Sequence, residues 1–373
     1  MTFLINASNL KNGGGLQVAD SICRQLHRFQ EHFFFVVLSS QLAATQKATA
    51  GVGNVKCVTY DLKDDLRSLL GRNRFLDSLV EENHVDAVLT VFGPSKWRPR
   101  VPHLCGFARA QLLIGSGLKV HGSWLANLKT KITYAIWAWG FRRSSDTFYT
   151  ENVYISDMLP KLIKGAKVYT VTNYYNQVFD QPERWRRDIQ LPLFDGTTLL
   201  TVSSTAVHKN LGIMVPVADY LERKYPNYNF RFVLTCKDSP FELPERLKRH
   251  FVFVGKVDVS ECPNLYKQAD IMLMPTLMEC FTATYPEAMR MEVPIVTTDL
   301  EFARGLCGEA ASYYSALDAN AAAEAIYKVA TDKKYAASLV EYGKMQLLTY
   351  DNYEQRAHKL VKILEDITKN KYV

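Results

Sequence analysis

The sequence predicts a two-domain α/β protein in which each domain is a doubly wound parallel sheet. Three observations carry that reading. Short apolar runs of strand length alternate with stretches of helical periodicity from Thr2 to Val171. Residues 176–196, NQVFDQPERWRRDIQLPLFDG, then break the alternation with two prolines and mixed charge. The alternation restarts at Thr198, and 373 residues is the length of two domains rather than one.

In the first half the apolar runs predict strands over 2–6, 33–38, 55–60, 87–91, 102–107, 146–150 and 166–171. Helices are predicted over 16–29, 69–82, 125–142 and 152–162; the first of these spaces Leu16, Ala19, Ile22, Cys23, Leu26 and Phe29 on one face. Domain boundaries follow as 1–180, a linker over 181–196, and a second domain over 197–350. In that domain strands are predicted over 198–202, 230–235, 251–254, 271–274 and 293–298. Helices are predicted over 211–225, 263–268, 284–291, 319–330 and 335–347. A last helix over 353–367, in the segment 351–373, is capped by Asp351 or Asn352 and has Glu354 in its first turn.

Composition narrows the function classes. The seven cysteines are odd in number and never spaced as CxxC, which fits a reducing compartment better than a disulfide framework. The start, MTFLINASNL, lacks the basic and apolar regions of a signal peptide. No apolar run reaches the roughly 18 residues of a spanning helix. A cytoplasmic protein is expected, at most peripheral on the inner face of the membrane.

Charge is unevenly placed. Residues 1–180 hold 21 basic and 13 acidic residues, so the whole excess of the chain, +7, lies in the first half. Between Asp86 and Asp146 there is no acidic residue, yet there are nine cations, including Arg109, Lys119, Lys129, Lys131, Arg142 and Arg143, and four of the five tryptophans. Cations mixed with tryptophan suit an anionic membrane surface. Nucleic acid is the competing ligand, but no nucleic-acid motif accompanies the charge. The plainer reading is a core helix with a solvated basic face. Arg109, Lys129, Lys131, Arg142 and Arg143 are taken as an acceptor or membrane face.

The chemistry gathers around 269–299, a strand–loop–helix–strand unit with Glu279 in the loop and Glu287 in the helix. In open α/β sheets ligands bind where strands end and helices begin. Upstream, VSSTAVHKN places Lys209 just before a helix start, where a cation and free N–H groups suit a diphosphate. FVGKV ends a strand with Gly255 and Lys256, where backbone can approach a flat base. Near the start, NLKNGGG brings Gly14 and Gly15 to a helix start; it lacks the GxGxxG and GK[ST] spacings, so a tight turn is the competing reading. No zinc spacing and no DxD is present, and no metal or other cofactor is expected.

These residues resemble a family. Lys209-Asn210, FVGKV, Leu265-Tyr266, Ala269-Asp270, Pro275 followed by Glu279-Cys280-Phe281-Thr282, Glu287-Ala288-Met289 and Val293-Pro294-Ile295-Val296 stand in the order seen in family 4 retaining glycosyltransferases of the group 1 type. That family includes sucrose synthase and bacterial mannosyltransferases. The resemblance covers about 198–312 and is only an outline before that. It implies the GT-B fold, with two Rossmann-like domains facing across a cleft and a C-terminal helix crossing back to the first. It also implies transfer of a hexosyl group from a UDP-sugar or GDP-sugar to a glycan or lipid-linked acceptor.

Under the resemblance Glu287 accepts from the ribose hydroxyls and Glu279 orients the sugar. The N–H groups of Cys280, Phe281 and Thr282 cradle the diphosphate, Lys209 steadies the leaving group, and Gly14 and Gly15 approach the phosphate. Three departures accompany it: Ser203 stands where the family often has an arginine, Cys280 where it has a glycine, and no histidine is assignable after the fourth strand, His103 lying too early. A nucleotide-sugar epimerase of the same fold and a catalytically silent nucleotide-sugar-binding subunit remain as alternatives.

Overall fold

A computed structural model of the chain describes residues 1–11, 13–61, 71–114 and 124–370. It divides into two compact units, Met1–Asn173 with Asp351–Val373, and Tyr174–Tyr350.

The first unit runs β1 (Thr2–Ala7), α1 (Gly14–Cys23), β2 (Phe33–Leu38), α2 (Ala43–Thr49), β3 (Val55–Thr59), α3 (Arg74–Glu82), β4 (Ala87–Thr90), β5 (His103–Gly106), α4 (Trp124–Ser144), β6 (Thr147–Thr150), α5 (Val153–Leu162) and β7 (Lys167–Thr170). Among the described residues these seven strands make one parallel sheet, ordered β3-β2-β1-β4-β5-β6-β7. Side chains alternate between its faces. Phe3, Ile5, Phe34 and Val36 pack with Ile22 and Leu26 on one side. Leu4, Phe35 and Val37 pack with Leu76, Val80 and Trp97 on the other.

Helix α1 stops at Cys23, earlier than its periodicity predicts, and a 3-10 turn at Leu26–Arg28 carries Leu26 into the same core. Helix α3 starts at Arg74 because Asn73 caps it, its side chain accepting from Leu76 N at 3.0 Å. Residues 69–70 of the predicted helix, and Lys119 of the basic interval, lie outside the described residues.

The second unit runs β8 (Thr197–Thr201), α6 (Met214–Lys224), β9 (Phe230–Leu234), β10 (Phe251–Phe253), α7 (Cys262–Lys267), β11 (Ile271–Met274), α8 (Thr284–Arg290), β12 (Ile295–Thr298), α9 (Glu301–Cys307), β13 (Ala311–Tyr314), α10 (Ala319–Thr331) and α11 (Lys333–Leu347). Its parallel sheet is ordered β10-β9-β8-β11-β12-β13. Both sheets reverse their winding once, between β1 and β4 and between β8 and β11. Loops leaving the C-terminal ends of such a pair diverge and open a crevice.

The last helix, α12 (Tyr353–Lys369), belongs to the first unit. Asn352 closes a capping box with Gln355, and Asp351 instead accepts from Thr172 N at 2.9 Å. The apolar face of α12, including Leu360, Val361 and Leu364, completes the core beside α1, β4 and β5.

The first compact unit ends earlier than the sequence reading places it. Residues 174–180 fall in the second unit, where the Phe179 ring meets Tyr266 at 5.9 Å and Arg290 Nε donates to Asp180 at 2.6 Å. The segment read as linker is also pinned there, through Arg186 N to Ser260 O at 2.9 Å and Leu191 N to the Gln268 side chain at 2.8 Å.

Candidate active site

The loops after β8 and β11, at the winding reversal of the second sheet, carry Lys209 and Glu279. Lys209 closes a 3-10 turn, Val207–Lys209, and the next residue, Asn210, takes φ +52°, the left-handed region asparagine tolerates. That sharp exit turns the lysine back over the sheet end. Its Nζ donates to Glu279 Oε1, and each side chain is 13% exposed. Thr276 Oγ1 donates to the same carboxylate oxygen at 3.2 Å. The two loops are also joined through backbone, Leu277 N to His208 O at 2.8 Å. Burial lowers the pKa of the His208 imidazole, so it brings no cation to the site at neutral pH.

Glu287 lies one turn into α8 and is 7% exposed. Tyr266 donates its hydroxyl to Glu287 Oε2 at 3.1 Å and to Thr284 O at 3.3 Å. Burial pushes the Glu287 carboxyl up to about 7, against the lowering effect of the tyrosine hydroxyl. A buried carboxylate whose hydrogen-bond donor among the described residues is the neutral Tyr266 hydroxyl has lone pairs to spare for ligand hydroxyls.

Between the two acids runs the loop with Cys280 and Thr282 buried and Phe281 half-buried. Thr282 and Thr284 share a hydroxyl–hydroxyl hydrogen bond of 2.6 Å. The backbone N–H groups of Phe281 and Thr282 have no partner among the described residues. Gly255 follows the edge strand β10 at φ +81°, with nothing within 4 Å of where a Cβ would stand. Its N–H donates to Cys236 O at 3.0 Å, and Lys256 beside it is exposed.

Ser203 supplies hydrogen bonds rather than charge: its N–H donates to Thr235 Oγ1 at 3.0 Å, tying the β8 loop to the β9 loop. In the first unit Gly14 and Gly15 open α1 behind Gly13, whose φ is +74°, at the β1/β4 reversal of that sheet. His103 starts β5, at the end of the sheet away from the strand C-termini. It is held by Thr90 at 2.8 Å and Ser144 O at 2.7 Å, and burial lowers its pKa to about 4.

The predicted basic face is not one cluster. Arg109 follows the C-terminal end of β5 and lies over the Trp137 ring at 4.3 Å. Lys129 and Lys131 are exposed on α4. Arg142 is exposed and donates to Leu162 O at 2.9 Å, at the C-terminal end of α5. Sequence reasoning assigned no site role to Tyr266 or Thr276. A tyrosine in a short apolar helix reads as core, and only the adjoining Pro275 and Glu279 marked the threonine's loop.

Residues 196–332 match the family model of group 1 glycosyl transferases. Among curated proteins no sequence match is found. Solved structures resemble the chain over nearly its whole length. A glycosyltransferase from Rickettsia africae ESF-5 aligns at TM-score 0.67 with 15% identity, covering 99% of this chain and 98% of that one. Anabaena Alr3699/HepE in complex with UDP-glucose aligns at 0.64 with 14% identity, covering 98% and 99%. WaaG, a glycosyltransferase involved in lipopolysaccharide biosynthesis, aligns at 0.66 with 15% identity, also over 98% and 99%. The chain has the two-domain GT-B fold. Its β8/β11 crevice and Lys209–Glu279 pair both fall inside the segment matched by the family model.

Proposed function

We propose that this protein is a retaining glycosyltransferase. It moves a hexosyl group from a UDP-sugar or GDP-sugar to a glycan or lipid-linked acceptor, in surface polysaccharide synthesis. The observation that carries the reading is the half-buried Lys209–Glu279 pair at the β8/β11 reversal, with the buried Glu287 on the helix that follows.

Glu287 accepts from the ribose hydroxyls, and the nucleobase lies against the open backbone at Gly255. The diphosphate sits at the Cys280–Thr282 loop, where N–H dipoles meet negative charge. Lys209 has three N–H donors, so it can keep Glu279 and still reach a phosphate oxygen. As the glycosidic bond breaks, charge builds on the departing diphosphate and Lys209 stabilises it. Glu279 accepts from sugar hydroxyls and orients the ring. The acceptor attacks from the face the diphosphate leaves, and a phosphate oxygen takes the acceptor proton, which gives retention. Gly14 and Gly15 are assigned to phosphate approach. The complex of Alr3699/HepE with UDP-glucose and the role of WaaG in lipopolysaccharide biosynthesis support a nucleotide-sugar donor and a surface-glycan product.

Thermal-shift screening against UDP-, GDP- and ADP-sugars identifies the donor. Transfer is then measured for Lys209→Ala and Glu287→Ala; full activity in either folded variant would sink the assignment. Ser203 in place of a cation favours a second reading, a nucleotide-sugar-binding subunit without turnover. Calorimetric donor binding with no product on any acceptor would select it.

A further inference from the structure

Helix α4 is apolar on both sides. At about 100° per residue, Tyr134, Trp137, Ala138 and Phe141 share the side turned to the sheet, where Ala138 and Phe141 are buried. Leu128, Ile132, Ile136 and Trp139 recur at spacings of four, four and three on the opposite side, and they are 45%, 53%, 54% and 42% exposed. A stripe of large apolar groups aimed at water is unfavourable for a helix whose other face already fills a core. Cations flank it: Lys129 and Lys131 are exposed at one end and Arg143 at the other, its guanidinium over the Trp139 ring at 4.9 Å.

The stripe leads into a built surface. Ile136 and Trp139 also line a narrow apolar crevice with Pro94, Trp97 and Gly140. Gly71, Arg143 and Ser144 are shared between that crevice and a second cavity of about 790 Å³. Among the described residues the larger cavity is lined by Arg72, Arg98, Arg100, Arg143 and Lys167 against one carboxylate, Asp146. Asp146 pairs with Arg98 at 2.5 Å, Glu81 reaches Arg100 at 3.4 Å and Asp77 stands 4.0 Å from Arg72, so among the described residues three carboxylates meet the five cations of the cavity. This cavity opens beside His103 and Thr147, the N-terminal ends of β5 and β6, so it is separate from the crevice at the strand C-termini.

We propose that this face docks on an anionic phospholipid surface. Ile132, Ile136 and Trp139 enter the interface, and the cavity of Arg98, Arg100 and Arg143 takes a lipid phosphate. An apolar stripe, an apolar crevice and a cationic cavity in one continuous run match the acyl, interfacial and headgroup layers of a leaflet in that order. Nucleic acid would use the cations but leaves the stripe uncovered. A second copy of the chain would cover the stripe but bring like charge to the cavity. No described helix is long and apolar enough to cross a membrane, so the contact is peripheral.

Flotation of the full chain with phosphatidylcholine vesicles, with and without phosphatidylglycerol, tests the proposal. The protein should float with anionic vesicles at low salt, lose most of that binding at high salt, and stay down with neutral ones. Ile132→Asp with Ile136→Asp, and separately Arg98→Glu with Arg100→Glu, should each weaken binding at least about tenfold. Unchanged circular dichroism and melting identify the folded variants. The proposal is overturned if the wild type does not bind anionic vesicles at low salt, or if either folded double variant floats like wild type. It is also overturned if the isoleucine variant turns a dimer into a monomer while vesicle binding stays intact.

Discussion

Tyr266 donates its hydroxyl to Glu287 across 3.1 Å, and both residues are buried. The hydroxyl favours the charged carboxylate while burial opposes it, and burial wins, leaving the acid to titrate at about 7 in the free protein.

Ribose hydroxyls donating to Glu287 would favour its ionised form further. Donor affinity should therefore rise as pH passes upward through about 7, with protons released on binding. Calorimetry near neutral pH in buffers of different ionisation heat measures that release. Tyr266→Phe removes one stabiliser of the carboxylate, so the midpoint should move up by about one unit. A midpoint that stays or falls contradicts the role.

Lys209→Ala should lower transfer about 10²–10³-fold, the usual cost of losing one group aimed at developing charge. Glu279→Gln should also lose transfer while leaving nucleotide affinity nearly unchanged. Because the two side chains touch, the double variant should lose much less than the two single losses combined. Strict additivity in kcat/KM would mean that the pair does not act as a unit.

Gly255→Ala separates backbone strain from ligand space. A Cβ there meets nothing within 4 Å, but φ is +81°. The cost to stability should be about 1–2 kcal/mol, from conformation alone. If the nucleobase lies on this backbone, the donor-induced rise in Tm should shrink by more than that cost explains. An undiminished rise would place the base elsewhere.

Arg356 on α12 is buried and lies near the buried Glu151, whose carboxyl burial raises to about 7 although Arg356 lowers it. Arg356→Ala should cost about 3–5 kcal/mol at pH 8, where it strands a buried charge. A folded pKa above the unfolded one means that stability from Glu151 is present in full at low pH and is lost as pH rises through 7. At pH 5 Glu151 is protonated with or without the arginine, so the variant's penalty should be smaller there. Thermal melts at the two pH values compare them.

Much of this was legible in order along the chain. Uninterrupted runs such as FFFVVL and IMLM have one reading as buried strands, and a parallel sheet fixes which loops meet at its reversal. Lys209 and Glu279 enter one site through the family resemblance, whereas the contact between their side chains, 70 residues apart in sequence, is a finding of the structure. What failed to show was short or ambiguous. Helix α2, AATQKAT, has two threonines and no apolar stripe, while α9 contains a glycine. Strand β13 is four residues of mixed character. Helix α4 reads as apolar all round, so periodicity alone cannot say which side is covered. The tie between Leu277 N and His208 O is backbone to backbone and leaves no trace in residue identity.

Helix α12 has a consequence for synthesis. The first unit begins at the N-terminus, yet part of its core comes from Leu360, Val361 and Leu364, and the whole second unit is translated in between. On the ribosome the second unit can close as soon as Tyr350 emerges. The strands of the first unit, made before the second, wait for α12 to emerge before their core is complete, with Phe29 still without the His358 ring that meets it at 4.7 Å.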